Sequence, residues 1–258
     1  MEKYCILVSQ ILKYEDIYFY QEPAEKTYSP EIQDMIEETW ENLTKNKESK
    51  YLYDGNVYSL MAVSSHENKV ICNVRNTTYK AYIGTNVHNI DKIPDKKDLA
   101  NAIASCVVSI TSDGYILIGR RSGKLAEGGN EWHVVGGTME GVVVNGELKP
   151  ENPYDLITKE LHEEINVSKD EIDVLYCTGI GISTHNHKPE FLFVCKLKLS
   201  KDQLISKVKN VSGAEIEEHT EFKYIKATQL KRFLKTNTVA PICECAMELY
   251  LKNKKGIS

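Results

Sequence analysis

The chain has 258 residues, of which 41% are apolar and 27% charged, with no low-complexity run, so it can bury a sizeable core and is neither disordered nor fibrous. Its 32 Lys and Arg against 37 Asp and Glu leave a net charge of −5, which gives no electrostatic footprint for nonspecific nucleic-acid binding. An acidic protein that handles phosphates has to neutralise them locally, with metal ions and a few cations; that favours a small substrate in a metal-lined cleft over a nucleic-acid partner.

The N-terminal MEKYCILVSQ lacks a basic stretch followed by a long apolar one, and no apolar run approaches the roughly 20 residues of a membrane span. The expectation is a cytoplasmic protein with no membrane partner. Two apolar runs, Ile6-Leu7-Val8 and Ile17-Tyr18-Phe19, read as strands. A helix follows: Ser29 suits the N-cap, Pro30 the first turn, and Ile32, Met35, Ile36, Trp40 and Leu43 recur at helical spacing. After a polar turn over residues 45–50, residues 51–58 and 69–74 read as strands. The segment Ile93-Pro94-Asp95-Lys96-Lys97-Asp98 has a proline, charges and no periodicity, and marks the expected boundary between a first region, residues 1–98, and a second, residues 99–258.

In the second region, apolar runs at 104–110 and 115–119 are joined by Thr111-Ser112-Asp113-Gly114, a hairpin signal. A polar, glycine-rich loop over 122–130 leads to a short strand, 132–135, that ends in Gly136-Gly137. Residues 138–150 read as an extended loop and 152–167 as a helix. Strands are expected at 175–181, 190–199 and 222–225, and helices at 228–234 and 241–252. The seven cysteines, at positions 5, 72, 106, 177, 195, 243 and 245, are dispersed and form no CxxC pair, so they read as reduced core thiols.

The helix over 152–167 carries the chemistry. Asn152 can cap it, Pro153 suits its first position, and Asp155 stands where a capping box would close. At 3.6 residues per turn, Glu160, Glu163 and Glu164 share one arc of roughly 100°, bordering the apolar face formed by Ile157, Leu161 and Ile165. Like charges on adjoining turns repel by a few tenths of a kcal/mol per pair, which calls for a compensating cation. Carboxylate oxygens are the ligands that Mg²⁺ and Mn²⁺ prefer.

This segment resembles the Nudix hydrolases, whose box runs G-x5-E-x7-R-E-U-x-E-E-x-G-U with U aliphatic. Lys159-Glu160-Leu161-His162-Glu163-Glu164-Ile165-Asn166-Val167 matches its second half, and Glu151 lies eight residues before Lys159, as the box's first Glu lies before its Arg. Gly136-Gly137 and Glu140 resemble its glycine-rich start. Three departures stand out. Lys159 replaces the Arg, which keeps the charge and loses bidentate pairing; Asn166 replaces the closing Gly; and Gly137 to Lys159 spans 22 positions against 14, an excess of eight that requires an insertion within 138–150.

The resemblance implies an α/β (α+β) fold, the Nudix αβα sandwich with a mixed sheet, preceded by the smaller α+β region. It also implies a Mg²⁺-dependent enzyme, with Mn²⁺ as a substitute, that hydrolyses a diphosphate. Glu160, Glu163 and Glu164 would be metal ligands with Glu151 beside them, and Glu160, Glu163 or Glu218 would serve the catalytic step. Glu218 closes the acidic run Glu215-Ile216-Glu217-Glu218, where many members of the family place a further loop carboxylate.

Further blocks resemble the UDP-glucose and UDP-galactose hydrolysing branch. They are Arg75 to Asn86 (R-x3-Y-x4-G-T-N), Arg120-Arg121-Ser122, Ala126-Glu127, Gly179-Ile180-Gly181 and Glu190-Phe191. On that resemblance Arg75, Arg120 and Arg121 would clamp phosphate, guanidinium being permanently charged and bidentate. Tyr79, Thr85, Asn86, Gly136 and Gly137 would line the substrate site, and the products would be UMP and a sugar 1-phosphate. ADP-ribose and dinucleotides are the rival substrates, and a nucleotide-binding module without turnover is the rival role. His185-Asn186-His187 falls in an expected loop and reads more readily as inert than as a site.

Overall fold

The computed structural model describes residues 2–45, 52–123, 127–209 and 218–253. The chain forms a three-layer α/β structure around an eight-stranded mixed sheet. The central path runs β1 (Tyr4–Val8), β11 (Ile172–Ser183), β12 (Pro189–Leu197), β5 (Ala104–Ile110), β6 (Tyr115–Arg121) and β13 (His219–Lys226); β7 (Trp132–His133) adds to β6, and β8 (Val135–Thr138) to β5. β5 and β12 are parallel, and the other pairs of this sheet are antiparallel. Of the polar turn expected at 45–50, only Lys45 lies among the described residues, as the last residue of α1 (Pro30–Lys45).

Alternation along β5 and β12 assigns the two faces. Val107, Phe191 and Phe193 pack with Leu156, Ile157, Leu161 and Ile165 of α3 (Pro153–Ile165) and with Leu204 of α4 (Lys201–Val208). Cys106, Val108, Leu192 and Val194 face the other way, onto α5 (Leu230–Thr236) and α6 (Pro241–Asn253). This is what a sheet covered on both sides requires. All seven cysteines are free thiols, and all but Cys5 are buried.

The N-terminal part builds a three-stranded sheet, β2 (Ile17–Gln21), β4 (Lys69–Thr78) and β3 (Asn56–His66), carrying α1. β3 starts later and runs further than its sequence signal, because the Asp54-Gly55 break ends the irregular stretch before it. β1 does not belong to this small sheet. It pairs with β11 at the edge of the large one, and Ile17, Val70, Cys72 and Val74 share one core with α3 and β12. α2 (Tyr79–Tyr82) runs on into a π-turn, Ile83–Val87.

Residues 138–150, expected as an extended loop, instead form a hairpin of β9 (Gly141–Val144) and β10 (Glu147–Pro150). Asn145 and Gly146 at its tip have φ of 52° and 80°, the paired positive values of a type I′ turn. The excess residues of this stretch therefore form a hairpin. Among the described residues, no helix is long and apolar enough to cross a membrane.

Candidate functional site

α3 positions the carboxylates. Asn152 accepts a hydrogen bond from the Tyr154 amide and Pro153 occupies the first turn, as expected. The expected capping box does not close, because the Asp155 carboxylate instead accepts from the Tyr14 hydroxyl at 2.8 Å. At the far end Asn166 adopts a left-handed conformation (φ 54°, ψ 35°), and its amide donates to His162 O and Leu161 O. Asn thus fills the position for which the box uses Gly.

The three glutamates of this helix meet three environments: Glu163 is exposed, Glu160 half-buried and Glu164 buried. The amide of Gly136, in β8, donates to Glu164 Oε1 at 3.0 Å. A Cβ on Gly137 would overlap the Glu160 carboxylate, so Gly136-Gly137 lies directly against the carboxylate face of α3. Gly137 is needed because its strand meets the charged face of α3, and Gly136 because it lies against the backbone of β5.

Burial raises the Glu160 carboxyl to about 7, with Glu163, Glu218 and Glu151 adding to the rise and Lys159 opposing it. Burial also drives Glu164 well above the ordinary carboxylate range, reinforced by Glu160 and Glu218. Glu151 is raised by burial, with Asp155, Glu140 and Glu163 contributing. Burial works against the charge of Lys159, but Glu163, Glu160, Glu140 and Glu151 outweigh it, and the ammonium titrates above its usual value. Glu164 Oε2 is buried with no hydrogen-bond partner. A carboxylate cluster this short of positive charge fits a divalent cation. As they stand, no three described His, Cys, Asp or Glu side chains converge into a ready metal centre.

Glu160 faces a cleft of about 500 Å³, which Lys159, Gly136, Gly137, Glu218, Tyr79 and Arg121 also line. Arg121 is electrostatically central: it favours the ionised forms of Glu127, Glu164 and Glu190 and disfavours charging of His133 and His219. Beyond it, Lys188 pairs with Glu127 at 3.1 Å and sits 5.0 Å from the centre of the Tyr82 ring. Burial opposes ionisation of Glu127, but Lys188 and Arg121 prevail and hold it down to about 2. Asn186, from the loop expected to be inert, donates to both Glu127 and Tyr82.

Other expected site residues stand elsewhere. Arg75, on β4, pairs with Glu22 (Nε to Oε2 at 2.6 Å) and does not line the cleft. Thr85 and Asn86 are buried in the π-turn. Thr85 Oγ1 donates to Ala81 O and accepts from the Ala100 amide, while Asn86 bonds Asn101 and donates to Asn186 O at 2.8 Å. Their hydrogen-bonding capacity goes into joining the N-terminal region to the cleft wall. Arg120 is exposed on β6, its side chain on the opposite face from that of Arg121. Ala126 and Glu215 to Glu217 lie outside the described residues.

Lys188, His133 and His219 line or adjoin the cleft without having been singled out as functional. Lys188 and Glu190 did leave a trace, since two charged residues stand at the start of a mostly apolar strand that is buried except at Lys196. His219 left none, because its partners are far away in sequence.

No family model matches the chain, and no curated protein matches it. Among solved structures it is similar to DR0079 from Deinococcus radiodurans, with 16% identity over 58% of this chain and 83% of that one and a TM-score of 0.42. It is also similar to a MutT protein from Methanosarcina mazei, with 18% identity over 59% of this chain and 95% of that one and a TM-score of 0.36. The E. coli ORF135 protein overlaps at 14% identity over 60% of this chain and 94% of that one, with a TM-score of 0.35.

Proposed function

We propose that the protein is a metal-dependent Nudix-type hydrolase that cuts the diphosphate of a nucleoside diphosphate derivative, with UDP-sugars as the favoured substrates. One observation carries the reading: the carboxylate face of α3 lies against Gly136-Gly137 at a cleft that also presents Lys159, Arg121 and Lys188. Carboxylates and cations on one wall suit a substrate that arrives as a polyanion with its metal. Mg²⁺, or Mn²⁺ in its place, bound among Glu160, Glu163 and Glu164 with Glu151 nearby would neutralise the diphosphate and acidify a water.

The chain's own groups do the rest. Arg121 and Lys159 orient the phosphates, and Tyr79 offers an aromatic wall beside them. Water attacks phosphorus in line, its proton passes to Glu160, Glu163 or Glu218, and the anhydride P–O bond breaks. From a UDP-sugar the products are UMP and sugar 1-phosphate. Thr85 and Asn86 act at one remove, by holding Asn186 and Asn101 in place.

The test incubates the protein with Mg²⁺ and a panel of UDP-sugars, ADP-ribose and dinucleotides, with products identified by mass and with Glu160→Gln and Glu163→Gln as controls. UMP and sugar 1-phosphate that disappear in the Glu160 variant support the full reading. Turnover confined to ADP-ribose or dinucleotides keeps the hydrolase and removes the UDP-sugar. Binding without turnover of any member, with Mn²⁺ as well, replaces the enzyme by a nucleotide-binding module.

A further inference from the structure

Two buried polar atoms face one another at the back of the α3 carboxylates without satisfying each other. His219 Nδ1 lies 3.5 Å from Glu164 Oε2; both side chains are more than nine-tenths buried, and neither atom has a hydrogen-bond partner. Orphaned pairs of this kind are rare in folded proteins, because each lost hydrogen bond costs about 1–3 kcal/mol.

The surroundings show that the ring is placed with care. β13 pairs His219 with Arg121, then shifts register before Glu221, a bulge of the kind that re-aims a side chain. Phe222 packs against the imidazole, with ring centres 5.0 Å apart. Across the ladder, a Cβ on residue 119 would overlap the imidazole, so Gly119 clears its space. On the other side, the Gly136 amide already holds Glu164 Oε1.

We propose that His219 is a positioning residue for Glu164, its Nδ1–H and the Gly136 amide gripping the two carboxylate oxygens from opposite sides and so fixing Glu164 as a metal ligand. The inference rests on the metal-dependent reading of the site. Each carboxylate oxygen keeps a lone pair free when it accepts one hydrogen bond, so the grip leaves ligation open. Partners behind a metal ligand typically matter about 10–100-fold in metal affinity.

Mn²⁺ is the probe, titrated by calorimetry and by its electron paramagnetic resonance signal into the wild type, His219→Phe and His219→Asn. Asn places an amide N–H close to where Nδ1 stands, whereas Phe keeps a ring and donates nothing. His219→Phe is expected to weaken Mn²⁺ binding about 10–100-fold. His219→Asn should restore most of that loss, with metal-free melting temperatures of the two variants alike. If the Phe ring disrupts folding, Glu164→Gln and the double variant Glu164→Gln/His219→Ala decide instead: a residue acting through Glu164 makes the double variant no weaker than Glu164→Gln alone.

Wild-type affinity in His219→Phe, equal weakness in Asn and Phe, additive losses in the double variant, or no Mn²⁺ binding by the wild type would each overturn the proposal. Mn²⁺ binding with the expected pattern but no turnover of any diphosphate would leave His219 in its role and sink the hydrolase. Turnover with unchanged metal affinity in His219→Phe would do the reverse.

Discussion

Gly136 and Gly137 are neighbours that fail for different reasons when given a side chain. A Cβ on Gly136 would run into Ser105 O and Cys106 Cα, which are backbone atoms of a central strand and cannot yield. Gly136→Ala is therefore expected to cost about 1–3 kcal/mol in urea unfolding, the usual range for overpacking. A Cβ on Gly137 would meet only the far end of Glu160, which can swing aside. Gly137→Ala should melt close to the wild type yet lose at least about tenfold in Mn²⁺ affinity, since it would push aside the proposed ligand Glu160. Equal stability losses in the two variants would show that Glu160 is locked in place. His133 makes a pH prediction at the same scale. Burial, aided by Arg121, holds its imidazole down to about 4, so the folded state binds fewer protons than the unfolded one from there up to about 6.5. The stability tied to neutral His133 is complete above about 6.5 and drains away as pH falls towards about 4. His133→Gln cannot charge, so its disadvantage against the wild type should shrink over that window. A difference constant with pH would contradict the assignment.

Among the elements, α3 was the most legible, because its signals are local: a cap, a proline, a run at 3.6-residue spacing and an Asn able to close it. The left-handed Asn166 gives the check. Asn166→Gly should match or exceed wild-type stability in chemical denaturation, whereas Asn166→Ala pays about 1–2 kcal/mol for its Cβ in that region. Equal effects would mean that the helix end frays rather than caps. The β9–β10 hairpin was just as local in its signal, since Asn145-Gly146 is a strong turn pair. The spacing of the box marks that stretch only as an excess of residues, with no conformation attached. The site divides in the same way. Glu160 and Glu164 were readable from spacing along one helix. Lys188 and His219 were not, because they join the site only when β12, β13 and the loop after β6 converge. Arg75, Thr85 and Asn86 carried a family pattern that the fold spends on an ion pair and on buried hydrogen bonds, and sequence spacing cannot tell such structural use from contact with substrate.

For the whole molecule, the open question is whether residues 99–258 can stand without the part before them. The composition break at 93–98 divides the chain into two regions that pack against each other. Leu12 is fully buried, its amide donating to Cys177 O and its carbonyl accepting from the Tyr154 hydroxyl at 2.6 Å. Tyr58, Val70, Cys72 and Val74 are fully buried in the same core as Leu156, Ile157 and Phe193. The Tyr58 carbonyl accepts from the Ile103 amide, and the Leu60 amide donates to Asn101 O, both just before the first strand of the second region. Cutting at residue 98 would bare the apolar faces of α3 and β12 that these side chains cover, and each large one is worth about 1.5–3 kcal/mol. Half a dozen such losses reach or exceed the 5–15 kcal/mol by which a domain is stable. The fragment 99–258 should therefore fail to melt cooperatively, expose apolar surface to a hydrophobic dye and self-associate, while adding back residues 1–98 as a separate chain rescues it. A soluble fragment with a sharp transition would mean that residues 99–258 are a self-sufficient domain and the N-terminal sheet an accessory. In that case Asn86 and Asn101, which tie the π-turn to the cleft wall, would matter for substrate affinity and not for folding.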